Sequence, residues 1–154
     1  MPASRSPASK PTVVFLCTGN CIRSQMAEGL LRSLAPDRYE AASGGAFPAG
    51  YVHEHAIEVM AEIGIDISTQ ESKSILVFFS PPDPYPDVLV SLCSYAASYC
   101  PNVPACTRQL DWPVWDPIEA EGTPDERRAQ FRRVRDQIRE RIKSALAKGE
   151  LDGA

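Results

Sequence analysis

The sequence predicts an α/β fold with a doubly wound, mainly four-stranded parallel sheet flanked by helices. Short, continuously apolar segments alternate with segments whose apolar residues recur at helical spacing. The first apolar segment runs directly into a polar loop and then into a helical pattern, which is typical of a strand–loop–helix unit. The chain has 154 residues and no internal repeat, so we expect a single domain over residues 11–148.

The first half of the chain supplies two predicted strands and two predicted helices. Residues 12–16 (TVVFL) are continuously apolar, as expected of a strand buried on both faces. Residues 24–34 carry apolar side chains at helical spacing, and residues 39–43 form a second strand. A second helix ends at Gly64 and carries its apolar residues on one side: Val52, Ala56, Met60 and Ile63.

The second half supplies two more strands and a long helix. Residues 88–92 (VLVSL) read as a buried strand, and residues 107–110 as a fourth strand. Residues 75–79 are apolar, but the prolines after them prevent regular structure. The last helix has a capping box and an apolar stripe, formed by Thr123, Pro124 and Glu126, and by Phe131, Val134, Ile138, Ile142 and Ala145. We expect residues 1–10 to be a disordered tail and residues 149–154 to be frayed.

Composition excludes several classes of function. The net charge of −4 argues against nucleic acid as a partner, because phosphate backbones require clustered Lys and Arg. No apolar run reaches the roughly 18 residues of a membrane span, and nothing marks export, so we expect a cytoplasmic protein. Five cysteines in a reducing compartment indicate catalysis, redox chemistry or metal binding more than structural disulfides.

The loop after the first strand carries the strongest chemical signal, of the form C-x5-R-S. Its backbone N–H groups are expected to form an anion-binding nest ahead of the helix, and the residues of this oxyanion site are Thr18, Gly19, Asn20, Cys21, Ile22, Arg23 and Ser24. Arg23 offers a planar fork for two oxygens of a tetrahedral anion. The positive field and the Ser24 hydroxyl favour a Cys17 thiolate, which would attack the bound oxyanion. Arsenate and phosphate fit such a cradle almost equally well.

Two further candidate site residues, Cys93 and Asp116, lie outside this loop. Cys93 ends the third strand, and the carboxyl ends of parallel strands share one edge, so Cys17 and Cys93 are expected to face one crevice. The pair Asp116-Pro117 is equally compatible with a general acid and with a simple turn.

These residues resemble a known family. Residues 17–28, CTGNCIRSQMAE, resemble the active-site loop of low-molecular-weight protein tyrosine phosphatases and of the arsenate reductases that share their fold. Residues 93–100, CSYAASYC, match the paired redox cysteines of thioredoxin-coupled arsenate reductases in spacing. Residues 112–117 resemble the acid loop of that family, and residues 122–142 its last helix.

The resemblance implies an arsenate reductase that is regenerated by thioredoxin. Cys17 would attack arsenate, Cys93 would attack Cys17 and release arsenite, and Cys100 would then take over the disulfide. Asp116 would be the general acid. We also expect phosphate and sulfate to compete with arsenate, the protein to be a monomer, and no cofactor to be needed. Cys93 and Cys100 would lie roughly 10 Å apart along a straight helix. Pairing needs Cα atoms within about 7 Å, so we expect this segment to rearrange.

Two other functions stay open. A tyrosine phosphatase would need only Cys17, Arg23 and Asp116, but Ile118 and Glu119 replace the aromatic pair that follows Asp-Pro in that family. A non-enzymatic arsenite- or metal-binding protein is the other alternative, although the cysteine spacings fit no usual zinc site.

The chain also departs from the family pattern. In the family the second loop cysteine directly precedes the arginine, whereas here Ile22 does and Cys21 stands one place earlier. We interpret Cys21 as a bystander; the alternative is that it traps Cys17 in an inactive disulfide. Lys73 stands at a position where some relatives have a potassium ligand. Because its ammonium would replace the cation, we expect no metal site. Residues 72–86 suggest a different lid, and the two histidines, His53 and His55, are expected at the surface.

Overall fold

A computed structural model describes residues 10–80, 84–93, 96 and 103–152. Its sheet has four parallel strands in the order β2-β1-β3-β4. They are β1 (Thr12–Cys17), β2 (Glu40–Gly45), β3 (Val88–Ser91) and β4 (Arg108–Asp111). The predicted parallel α/β fold is therefore confirmed, with strand ends within one or two residues of the expected positions.

The main core lies on one face of the sheet. Alternate side chains of β1, among them Val13 and Phe15, pack there against the three helices of the described chain. These are α1 (Arg23–Leu34), α2 (Glu54–Ala61) and α3 (Pro124–Lys148). The predicted stripe of α3 is buried in this core. Among the described residues, no helix is both long enough and apolar enough to cross a membrane.

The opposite face carries a smaller core. Its buried members are Val14, Leu16, Ile75, Leu89 and Ala96. The short 3-10 helix Ile75–Phe78 covers this face, and the Ser74 side chain caps it by accepting from the Leu76 N–H. This apolar segment thus forms one turn of helix, which the sequence does not predict. Pro81 and Pro82 lie outside the described residues.

The ends of α3 are as the sequence predicts, but the chain after it is not frayed up to Asp152. Thr123 and Glu126 form the reciprocal capping box. Gly149 adopts the left-handed conformation, with φ of 69°, and turns the chain back onto the domain. Leu151 is then fully buried, and Asp152 accepts a hydrogen bond from the Tyr39 hydroxyl. Burial of one leucine and this polar contact explain the difference from the expected tail.

The beginning of the domain is also anchored. The Lys10 ammonium, which the sequence places in a disordered tail, donates to the Pro36 carbonyl at 2.8 Å and pairs with Glu40. The remainder of that predicted tail, residues 1–9, lies outside the described residues.

Candidate active site

The loop predicted to bind an oxyanion begins at the carboxyl end of β1, in the centre of the sheet. Cys17 is the last residue of β1 and is 2% exposed, and α1 begins at Arg23. Asn20 has a φ of 48°, the left-handed conformation that asparagine tolerates. Gly45 of β2 lies so close that an added Cβ would be 2.9 Å from the Asn20 Cβ. Sheet and loop therefore fit only because this position has no side chain.

The carbonyl groups of the loop point outward. Each accepts a hydrogen bond from a group outside the loop or from α1, and the residues concerned are Cys17, Thr18, Gly19, Asn20, Cys21 and Ile22. The donors include the backbone N–H groups of Ala46, Phe47, Ala49 and His53. Because successive carbonyls face out, the N–H groups of the same peptides are directed to the inside of the loop. This arrangement is a cradle for an anion, and the start of α1 adds its positive end.

The hydrogen-bond network beneath the loop determines which way the Ser24 hydroxyl points. The Lys73 backbone N–H can only donate, and it lies 2.9 Å from Asn20 Oδ1, so the amide nitrogen of Asn20 faces the other way. That nitrogen donates to Ser24 Oγ at 2.8 Å and to Ser43 Oγ at 2.9 Å. Since Ser24 Oγ accepts from Asn20, its own hydrogen is available for Cys17 Sγ at 2.8 Å. A donated hydrogen bond stabilises a thiolate over a thiol.

Arg23 and Asp116 meet across the mouth of the loop. Arg23 is buried, and its Nη1 donates to the Val114 carbonyl at 3.0 Å. Its Nη2 lies 3.3 Å from Asp116 Oδ2, whereas Asp116 Oδ1 accepts from the Ile118 N–H at 3.0 Å. One oxygen of Asp116 therefore forms the turn that the sequence suggests, and the other contacts Arg23 of the loop.

Cys93 lies beside the same loop, as the strand-end argument predicts. It follows β3, whose neighbouring Leu92 N–H donates to the Leu16 carbonyl of β1 at 2.8 Å. The Thr18 hydroxyl is 3.4 Å from Cys93 Sγ, and Cys93 is partly exposed. The structure thus brings Cys93 to the loop that begins with Cys17. Cys100 lies outside the described residues.

Cys21 is a second buried thiol of the same loop. Burial, followed by negative charge at Cys17 and Asp116, raises the pKa of the Cys21 thiol to about 11. Cys21 is therefore a protonated thiol at neutral pH, which is a poor nucleophile. This supports the reading of Cys21 as a bystander.

The sequence is similar to those of known proteins over nearly its whole length. The family model for low-molecular-weight phosphotyrosine protein phosphatases matches residues 12–152. The chain belongs to this family. An arsenate reductase of Halalkalibacterium halodurans is 42% identical over 142 residues, which cover 92% of this chain and 99% of that protein.

Solved structures of the family agree with this assignment. An arsenate reductase in the reduced state superimposes with a TM-score of 0.68 at 36% identity, covering 90% of this chain and 98% of that one. A thioredoxin-dependent arsenate reductase of Corynebacterium glutamicum gives a TM-score of 0.65 at 27% identity, and the match covers 93% of this chain and 65% of that one.

Several residues of the network are missed by sequence reasoning. Gln25 and Gln70 have no recognisable motif, because their partners are backbone and side-chain groups distant in sequence. Arg32 could have been found, since it lies four residues after Glu28 on one helix face. Lys73 was a different candidate cation, but its Nζ donates to the Glu71 carbonyl and lies over the Phe78 ring. The cation that contacts Glu28 is Arg32.

The two histidines are also placed differently from the prediction. His55 is buried, with Nδ1 2.6 Å from Glu58 and Nε2 3.2 Å from Arg127 of α3. His53 is half-buried and caps α2 by accepting the His55 N–H. Helix α3 covers both rings through Phe131, a long-range contact that local sequence cannot reveal.

Proposed function

We propose that this protein reduces arsenate to arsenite by a cysteine relay that thioredoxin regenerates, as the names of its relatives suggest. One observation carries the proposal: the Thr18 hydroxyl of the anion-binding loop is 3.4 Å from Cys93 Sγ. A hydrolytic enzyme of this fold has no use for a second thiol at that place. A reductase requires it, because the electrons that reduce arsenic come from a pair of cysteines.

The first step captures and activates arsenate. The loop N–H groups from Thr18 to Ser24 and the Arg23 guanidinium bind the tetrahedral oxyanion, with phosphate and sulfate as competitors. The Cys17 thiolate attacks As(V), a sulfur–arsenic bond forms, and one As–O bond breaks. Asp116, across the mouth of the loop, protonates the departing oxygen so that it leaves as water.

The second step is the reduction. The Cys93 thiolate attacks Cys17 Sγ, and a Cys17–Cys93 disulfide forms as the sulfur–arsenic bond breaks. The electron pair of that bond remains on arsenic, which becomes As(III) and leaves as arsenite. Two thiolates are oxidised and one arsenic atom is reduced by two electrons, so the step balances.

The third step restores Cys17. The Cys100 thiolate attacks Cys93, frees the Cys17 thiolate and leaves a Cys93–Cys100 disulfide, which thioredoxin reduces with two electrons. Among the described residues, five are buried in the smaller core against which Cys93 packs, so a local rearrangement there disturbs little of the described domain.

A coupled assay tests the relay. Oxidation of NADPH is followed with arsenate, thioredoxin and thioredoxin reductase for wild type and for Cys17→Ser, Cys93→Ser and Cys100→Ser. We expect each substitution to abolish multiple turnover. Cys106→Ser is the matched control, because Cys106 is exposed and retains no role in the relay. Full multiple turnover by Cys93→Ser would show that the relay is wrong.

A second candidate function is the hydrolysis of aryl phosphates, which family membership favours. Cys17 contacts Ser24, Arg23 contacts Asp116, and neither of these contacts involves Cys93. Cys93→Ser should therefore keep the wild-type rate of para-nitrophenyl phosphate hydrolysis while it loses arsenate turnover. A parallel loss of both activities would contradict this separation.

A further inference from the structure

Two hydrogen-bond chains run from one surface residue to the anion-binding loop. In the first, Arg32 Nη2 donates to Glu28 Oε2 at 2.6 Å, and the Ser43 hydroxyl donates to Glu28 Oε1 at 2.6 Å. The amide nitrogen of Asn20 then donates to Ser43 Oγ at 2.9 Å. Ser43 and Asn20 are fully buried, so each polar atom must find its partner inside this chain.

The second chain reaches the same loop residue from another direction. Arg32 Nη1 donates to Gln70 Oε1 at 3.1 Å, and Gln70 Nε2 donates to Gln25 Oε1 at 2.8 Å. Gln25 Nε2 finally donates to the Asn20 carbonyl at 2.9 Å. The two chains thus hold the side chain and the backbone of Asn20, the residue with the left-handed conformation.

We propose that Arg32 is a positioning residue for the nucleophile, acting on Cys17 through Glu28, Ser43, Asn20 and Ser24. The proposal rests on the proposed function only in that Cys17 is the attacking group. Arg32 donates to Glu28, and Glu28 also accepts from the Ser43 hydroxyl, so Ser43 Oγ is able to accept from the Asn20 amide. The Lys73 N–H orients that amide, and the Arg32 chain adds a buried acceptor that holds it in place. The second hydrogen of the amide bonds to Ser24 Oγ, whose own hydrogen lies toward Cys17 Sγ at 2.8 Å.

The opposite charges of Glu28 and Arg32 also favour this role. The Glu28 side chain is 7% exposed, whereas the Arg32 side chain is 52% exposed. A buried carboxylate without its guanidinium partner would place an uncompensated negative charge behind the loop. Such a charge opposes a second negative charge on Cys17 and weakens the binding of an anionic substrate. Arg32 therefore supports the thiolate from outside the cradle, without contacting the substrate.

The test is the pH dependence of Cys17 alkylation by iodoacetamide, measured by mass spectrometry of the peptide that contains Cys17. We expect Arg32→Gln to move the midpoint of this profile up by about one pH unit, equal to about tenfold slower alkylation on the acidic side. Arg32→Lys keeps the charge and should stay nearer the wild-type midpoint. Removal of the partner as well, in Glu28→Gln/Arg32→Gln, should bring the midpoint back toward wild type.

The control and the outcomes separate this inference from a general loss of structure. Arg38→Gln is the matched control, because Arg38 is equally exposed and pairs with Asp152 far from the loop. An Arg32→Gln midpoint equal to that of Arg38→Gln, or a double variant shifted further than Arg32→Gln, would overturn the proposal. Alkylation requires neither arsenate nor thioredoxin. A wild-type protein without arsenate turnover would thus refute the proposed function and leave this result standing.

Discussion

The two cysteines of the candidate relay lie in contrasting surroundings. Cys17 ends a central strand above the main core, and its sulfur contacts a hydroxyl whose direction is determined by a buried polar network. Cys93 packs against the smaller core together with Phe78 and Phe79 of the segment that covers it. The proposed attacking group is therefore fixed by buried hydrogen bonds, whereas the group that moves in the proposed relay lies among fewer buried side chains of the described residues. These surroundings divide the site into a Cys17 half and a Cys93 half.

The largest loss of activity is expected at Asn20, which holds Ser24 and Ser43 together in the Cys17 half. Asn20→Gly keeps the left-handed conformation but removes the hydrogen bonds to Ser24 and Ser43. We expect kcat/KM for arsenate to fall about a hundredfold, equal to about 2.7 kcal/mol. Asn20→Ala should lose as much activity and, because its φ of 48° is strained for alanine, should also melt at a lower temperature.

A matched substitution in the Cys93 half sharpens this prediction. Ser91→Ala removes a single hydrogen bond, from the Ser91 hydroxyl to the Cys93 carbonyl at 2.9 Å. We expect less than a tenfold change in kcat/KM, since one neutral hydrogen bond contributes about 1 kcal/mol. Equal losses at Asn20 and Ser91, measured in the same coupled assay, would remove the distinction between the two halves.

A separate effect, on stability rather than on activity, is expected in the two cores. Ile138 of α3 and Ile75 of the 3-10 helix are both almost fully buried, in the main and the smaller core respectively. Ile138→Ala should lower the free energy of unfolding by about 4 kcal/mol, and Ile75→Ala by about 2 kcal/mol, because a small core relaxes around a cavity. Urea denaturation measures both values.

The same pair of variants reports on the mobility of Cys93. Ile75→Ala should increase the rate at which Cys93 is alkylated in the folded protein, since Ile75 and Cys93 pack in one cluster. Ile138→Ala should leave that rate unchanged at temperatures where it stays folded. The contrast between the halves is wrong if both variants expose Cys93 equally.

The sequence predicts one half of the site far better than the other. The loop of Cys17 is a continuous segment between a strand and a helix, so local pattern alone locates it and predicts an anion-binding conformation. The parallel strand order and the proximity of Cys93 follow from general rules for α/β sheets.

The remaining features depend on long-range packing. The Gln25–Gln70 contact and the burial of His55 under α3 join segments more than 40 residues apart. The packed chain end at Leu151 depends on a core that only the complete fold creates. Local propensity carries no information about such partners, and for this reason the outer network, the histidines and the tail had to be read from the structure.

The smallest predicted effect concerns His53, a titratable residue that contacts the loop of Cys17. Its backbone N–H donates to the Cys21 carbonyl of the loop, and its Nδ1 accepts from the His55 N–H. Burial, with the nearby His55 ring, lowers the pKa of His53 below its ordinary value of 6.5. Other charges also face the ring, and Glu54 and Asp116 oppose the shift while Arg127 reinforces it.

The sign of the pH effect follows from this shift. The unfolded chain binds a proton at His53 below about pH 6.5, whereas the folded protein resists protonation until a lower pH. The contribution of His53 to stability is thus complete above pH 6.5 and decreases as the pH falls toward the folded pKa. Protonation of Nδ1 also removes the acceptor that caps α2.

His53→Asn is the variant that isolates this contribution. Asparagine is a good helix cap and does not titrate, so His55 and every carboxylate remain the same in both proteins. We expect the melting temperature of wild type, relative to His53→Asn, to fall as the pH decreases from about 7.5 to about 5.5. Equal pH dependence of the melting temperature in the two proteins would show that His53 does not contribute to the acid sensitivity of stability. A relative rise would mean that the folded state prefers the protonated ring.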